Sequence, residues 1–267
     1  MALKLIYPLA RIFMKTVGQT SDGIRMCYQY GLTSGKMLDY IYKNKPSGRW
    51  GIGKALDRAF LNHVGWEAIR IRRRHLEQLM TQSVDDLRQQ KRPISLLDIA
   101  SGPGAYVLAV MAQAGEADIT ARCRDFDGRW ADEGREAAKQ AGLNNVVFEQ
   151  GDAYDRAALQ AVQPRPNLMV SSGFYDWFNE DEKVKESIRI VHDVLDPGGY
   201  FVMTNQAAHP NLEFTQEVFT DFNNNPLRMA MRPPSLICKW LEETGFIIEH
   251  LLADQNGYYT AIKARKK

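Results

Sequence analysis

The sequence is short of the residues that mark several classes of function. Its three cysteines, Cys27, Cys123 and Cys238, are odd in number, have no C-x-x-C spacing and no neighbouring histidine pair. That pattern supports neither a disulfide framework nor a zinc site, so no metal is expected, and it fits a reducing, cytoplasmic setting. There is no apolar run of the ~18 residues that a spanning helix needs. The N-terminal stretch MALKLIYPLARIFMKTVG is broken by Lys4, Arg11 and Lys15 and lacks a signal-peptide cleavage pattern. Its bases and apolar residues suit a helix packed on its own domain, or else one lying peripherally at a membrane interface. Excess charge is missing too. With 34 basic and 32 acidic residues the net charge is +2, which gives no bulk electrostatic case for nucleic acid.

What is present is an ordinary globular composition, 45% hydrophobic and 25% charged over 267 residues. The charge is unevenly spread, with 17 basic against 7 acidic residues up to position 93 and 17 against 25 after it. The texture changes at the same place. Up to about residue 92, Leu56, Phe60, Val64, Ile69, Leu76, Leu79 and Leu87 recur at mostly helical spacings. From Pro93 strand and helix patterns alternate, which predicts a parallel sheet with crossover helices. Strands are expected at ISLLDIA, ITARCRDF, VVFEQGD, NLMVSS, YFVMTN, FIIEHLLA and YYTAIKA. Helices are expected at 104–114, 129–141, 155–162, 180–195, 211–223 and 234–244. Only DQNG separates the last two strands, too little for a parallel crossover, so they must form an antiparallel hairpin. The expectation is an α/β, Rossmann-like sheet of seven strands, mostly parallel with an antiparallel last strand. A helical N-terminal extension (1–93) would precede this core (94–267) as a lid.

The strongest local signal is LLDIASGPGAYVL: a buried-type strand ending at Asp98, a turn of small residues, then an apolar helix. In a doubly wound sheet this turn lies at the carboxyl end, where ligands bind. A dinucleotide fingerprint would carry a third glycine where Val107 stands, which disfavours a nicotinamide oxidoreductase. Asp125, at the end of the second expected strand, can accept hydrogen bonds from ribose hydroxyls. Asp152, at the end of the third, can accept from an adenine amino group.

The pattern D-x-A-x-G-x-G, with Ala100 for the usual first glycine, resembles the first motif of class I S-adenosylmethionine-dependent methyltransferases. The Pro-Gly-Gly turn of LDPGGYFVMTN resembles the same superfamily. More narrowly, LDYIYKNKPSGR, LDRAFLNHVGWEAIRIRRRHLE, CRDFD, SSGFYDWFNEDEKV and NQAAHPNLE resemble a bacterial methyltransferase family found alone or fused behind an α/β-hydrolase domain. The resemblance implies S-adenosyl-L-methionine as cofactor, held by Asp98, Ala100, Ser101, Gly102, Gly104, Asp125, Phe126, Asp152, Ala153 and Ser172. It also implies a small-molecule or lipid-like acceptor. Such relatives tend to carry a bulky aromatic before the histidine where this chain has Ala207 and Ala208, so a shared substrate is not implied.

Methyl transfer from a sulfonium requires orientation and exclusion of water, with no metal or covalent nucleophile. A hydroxyl or ammonium acceptor also needs a base, which nominates His209, in the loop after the fifth core strand, together with Tyr175. Tyr40, Tyr42, Asn62, Trp66, Arg73 and Asn205 are the candidates for substrate or lid contacts. The run Arg70 to His75 is by default a solvated helix face. A rival without turnover, a cofactor-binding interaction protein, would leave His209 and Tyr175 turned away from the methyl group.

Overall fold

The computed structural model describes residues 2–32, 34–115, 117–221, 225 and 227–267. In chain order the helices are α1 (Ala2–Lys15), α2 (Asp22–Tyr30), α3 (Gly35–Lys43), α4 (Trp50–Leu61), α5 (Val64–Gln89), α6 (Ala105–Ala114), α7 (Gly128–Gln140), α8 (Arg156–Gln160), α9 (Asp181–Val194), α10 (Leu212–Val218) and α11 (Pro234–Thr244). The strands are β1 (Ile94–Asp98), β2 (Ile119–Asp125), β3 (Val146–Gln150), β4 (Leu168–Ser171), β5 (Tyr200–Gln206), β6 (Phe246–Ala253) and β7 (Tyr259–Lys266). The helix expected over 211–223 ends at Val218, and residues 222 and 223 lie outside the described ones.

Contacts gather these elements into two compact units: residues 1–71 with 209–229, and residues 72–208 with 230–267. The division falls inside α5, not at the change of texture at residue 93. The physical reason is that Leu76, Leu79, Met80, Val84 and Leu87 of α5 belong to one core cluster with Leu96, Val107 and Val110.

Among the described residues the sheet of the second unit has seven strands in the order β3-β2-β1-β4-β5-β7-β6. The pairs among β1 to β5 are parallel, and β7 runs antiparallel to both β5 and β6. Every residue of β1, β4 and β5 is buried, as strands covered on both faces require. One face is packed by α5, α6 and α7, the other by α8, α9 and α11. The closing hairpin is set by Asp254, whose oxygens accept from the backbone N–H groups of Asn256 (2.9 Å) and Tyr259 (2.6 Å). Strand order reverses between β1 and β4, so the crevice beyond their carboxyl ends is the topological position for a ligand.

The first unit is helical and organised around one carboxylate. Asp57 is fully buried and accepts from the Ser21 hydroxyl (2.6 Å), the Gly23 N–H (2.7 Å), the Ser47 N–H (2.9 Å) and the Tyr40 hydroxyl. Ser21 and Ser34 cap the starts of α2 and α3 by accepting from Ile24 and Met37. The glycine-rich stretch around residues 48 to 53 is held at its start, where the Ser47 hydroxyl donates to Asp22 at 2.6 Å and Gly48 forms a backbone bridge with Ser21.

Candidate active site

The turn between β1 and α6 is built from the residues the sequence singled out. Gly102 and Gly104 have φ of 54° and 67°, the left-handed region that favours glycine. They differ in what surrounds them. A Cβ on Gly104 would lie 2.8 Å from the Phe148 ring, whereas one on Gly102 would meet nothing within 4 Å. The loop is therefore packed shut on its inner side and open at Gly102. Asp98 is fully buried, and its oxygens accept from the Ala100 N–H (3.1 Å) and the Tyr106 hydroxyl (2.6 Å). Burial pushes its carboxyl up to about 7, against the lowering effect of those two hydrogen bonds. Asp98 thus shapes the loop from below; the expectation that it touches ligand is corrected, because no part of it reaches the surface. Ser101 is buried beside it, its N–H donating to the Arg124 carbonyl at 2.9 Å.

At the end of β2, Asp125 closes the loop from the other side. One oxygen accepts from the Gly102 N–H at 2.8 Å and the other from the Asp127 N–H at 3.0 Å. Its carboxyl is raised by burial, opposed by the same two bonds. Each oxygen keeps a second lone pair with which to meet ribose hydroxyls. Phe126, the next residue, is 74% exposed, a large apolar ring left in water. Asp152 is exposed after β3, with one oxygen accepting from the Tyr154 N–H at 2.8 Å, and Ala153 beside it is buried.

The segment after β4 departs from expectation. Ser172 is half-buried, and the Gly173 N–H donates to the Thr204 hydroxyl of β5 at 2.8 Å. Tyr175 was expected to serve chemistry, but it is 1% exposed and its hydroxyl meets Ser187 of α9 at 3.1 Å. Its ring belongs to the core under α9, so it is corrected to a packing residue. Asp176, next to it, accepts from the Gln206 N–H at 3.0 Å and faces Arg72 at 3.7 Å. Burial raises its carboxyl to about 6, and Arg72 and Arg232 act the other way. Arg72 is 6% exposed, with its guanidinium 4.8 Å from the Tyr259 ring centre, so the run from Arg70 to His75 is not uniformly a solvated face. Asn205 is buried, its amide donating to the Arg232 carbonyl at 2.8 Å. Arg73 reaches Glu77 at 2.6 Å and the Ala105 carbonyl at 3.3 Å.

The remaining candidates, His209, Tyr40, Tyr42, Asn62 and Trp66, belong to the first unit. Tyr40 serves Asp57, as described, and burial together with that hydrogen bond holds its hydroxyl protonated up to about 12. Tyr42 is half-buried and Asn62 exposed, while Trp66 packs on Phe60 with ring centres 5.4 Å apart. His209 Nδ1 accepts from the Asn211 N–H at 3.1 Å, and the Asn211 amide meets His63 Nε2 at 2.9 Å. Burial, helped by His63, pushes the His209 imidazole down to about 4. At neutral pH the ring is uncharged, and with Nδ1 accepting, its proton sits on Nε2. In this arrangement His209 is a hydrogen-bond donor with its lone pair taken, which corrects its expected role as a base.

Residues 1–266 match the family described as "Putative methyltransferase". The chain belongs to this family. The uncharacterized protein YnbC of Escherichia coli (strain K12) is 35% identical over 266 residues, which is 98% of this chain and 45% of that protein. The chain thus spans less than half the length of that relative. Among solved structures, a protein of Bordetella parapertussis described as a possible exported protein superposes with a TM-score of 0.68 at 21% identity, over 87% of this chain and 79% of the other. Magnesium protoporphyrin IX methyltransferase from Synechocystis PCC 6803, with bound SAH, superposes with a TM-score of 0.61 at 15% identity, over 90% and 98%. At those identities the superpositions establish a shared fold.

Two groups in this methyltransferase-family chain escaped the sequence analysis. Tyr106 holds Asp98, and its signal was a polar-tipped aromatic in the first turn of an otherwise apolar helix. Arg124 is 7% exposed, ion-paired to Glu149 at 3.2 Å and laid against Gly151, where a Cβ would collide with the guanidinium. Its signal was a second basic residue two positions after Arg122, on the strand face opposite Ile119, Ala121 and Cys123, and the glycine of FEQGD is explained by it.

Proposed function

We propose that the chain transfers a methyl group from S-adenosylmethionine to a small or amphiphilic acceptor. The observation that carries this reading is the tie between the Gly102 N–H and Asp125 at the topological switch point, beside an exposed Phe126. The residues fit the cofactor: the loop is open at Gly102, Asp125 keeps lone pairs, and Phe126 offers an apolar ring. The backbone of residues 100–104, Asp125, Phe126, Asp152, Ala153 and Ser172 would hold it. When bound, it supplies an electrophilic methyl group on a sulfonium. The chain's own residues then orient and keep out water, the two contributions such a displacement most needs. A cytoplasmic setting and an acceptor other than nucleic acid belong to the same proposal.

Calorimetric titration with S-adenosylmethionine and its demethylated product tests the reading. Asp125→Ala is expected to weaken both by about 2–4 kcal/mol, since it removes charge-assisted hydrogen bonds and frees Gly102. Unchanged affinity in the variant would overturn the assignment. The burial of the Tyr175 hydroxyl favours a second reading, cofactor binding without turnover. Release of the demethylated product in the presence of candidate carboxylate or phosphate acceptors separates the two.

A further inference from the structure

The first unit carries a surface for which methyl transfer has no use. α1 meets its own unit through Tyr7, buried with its ring 6.3 Å from Phe214, and through Arg11, ion-paired to Glu217 at 2.5 Å. Its other side displays Ile6, Leu9, Ile12 and Phe13 at 53%, 67%, 60% and 42% exposure. Separations of three and four residues put these on one stripe, opposite the packed side. Val17, 45% exposed in the following turn, continues it. The segment around residue 50 lies beside that turn: Ser21 bridges Gly48, and the Arg49 N–H donates to the Thr20 carbonyl at 2.8 Å. It adds Trp50 and Ile52 at 77% and 62% exposure. Trp50 has a φ of 55°, a left-handed conformation that bulky residues rarely adopt.

Charge selects the occupant. α1 contains no acidic residue, and Lys15, Lys45, Arg49 and Lys54 are exposed along the α1 to α4 surface. The unit as a whole has 12 basic against 7 acidic residues. A second copy packed on this face would set the same bases against each other across a two-fold axis. An anionic bilayer complements both the apolar stripe and the bases, and an exposed Trp is the side chain suited to the headgroup layer. No helix among the described residues is long and apolar enough to cross a membrane, so the contact is peripheral. We propose that α1, together with Val17, Trp50 and Ile52, docks the protein on the surface of an anionic lipid bilayer.

Flotation of the full chain with phosphatidylcholine vesicles, with and without phosphatidylglycerol, tests this independently of any turnover. Binding is expected to the anionic vesicles, to fall with added salt, and to weaken about 100-fold in Leu9→Glu/Phe13→Glu, where two inserted side chains become charged. Trp50→Ala, on an exposed side chain, should weaken it about 10-fold with the thermal unfolding midpoint unchanged, which keeps the test valid if the double variant fails to fold. Failure of the wild type to float with anionic vesicles would overturn the proposal. So would equal binding by Trp50→Ala and the wild type. Concentration-dependent dimerisation without vesicle binding would assign the surface to a second copy instead.

Discussion

Asp98 and His209 illustrate how environment reassigns a residue type. Each was nominated by its position at a strand end or in the loop following one; both Asp98 oxygens and the His209 Nδ1 accept from neighbouring donors. For Asp98 the consequence is measurable. Its folded-state value is raised to about 7 by burial, whereas an unfolded aspartate titrates near ~3.9. The folded state therefore binds the proton more tightly. Stability from this group is fully present below about pH 4 and is lost as pH rises to about 7. Asp98→Asn keeps the shape without the charge. It should gain on the wild type by about 3 kcal/mol between pH 5 and pH 8 in urea unfolding. Parallel pH profiles for the two proteins would mean that the carboxyl is ionised in the folded state across that range, its titration unshifted by burial.

At the scale of elements, the sequence pattern was most informative where burial is uniform. β1 and β5 and the apolar α6 needed only a core on either side. The helices of the first unit were legible as helices, but their arrangement was not, because it depends on Asp57 drawing donors from residues 21, 23, 40 and 47. No local spacing links those positions. Asp57→Ala leaves four donors, two of them buried, without this acceptor and should cost about 3–5 kcal/mol, with Asp57→Asn intermediate. Chemical denaturation followed by circular dichroism reads this directly, and a cost below about 1 kcal/mol would show that the donors find other partners.

At the scale of the molecule, the first unit is made of two stretches far apart in the chain. Tyr7 packs on Phe214, Arg11 pairs with Glu217, and the Tyr28 hydroxyl donates to the Val218 carbonyl at 3.0 Å. α10 has seven residues, too few to hold together in water alone. Deleting residues 1–16 should therefore speed amide exchange across Leu212–Val218 by about 10-fold or more, through lost burial of Tyr7 and Phe214. Unchanged protection there would show that α2 alone supports it.

The sequence by itself determined the order and kind of the core elements, because each is specified by a pattern a few residues long: a buried run, a helical period, a glycine turn or a hairpin loop too short for a crossover. It also located the glycine turn between β1 and α6 and the carboxylate that closes it, since Gly102, Gly104 and Asp125 stand at strand ends. Only the tertiary structure decided which polar groups are spent on the fold. Tyr175 went to Ser187, Tyr40 to Asp57, Arg72 to Asp176 and the His209 lone pair to Asn211. The physical reason is that a side chain's availability depends on its nearest donors and on access to water. Tyr175 and Ser187, or Arg72 and Asp176, become neighbours only when distant segments pack together.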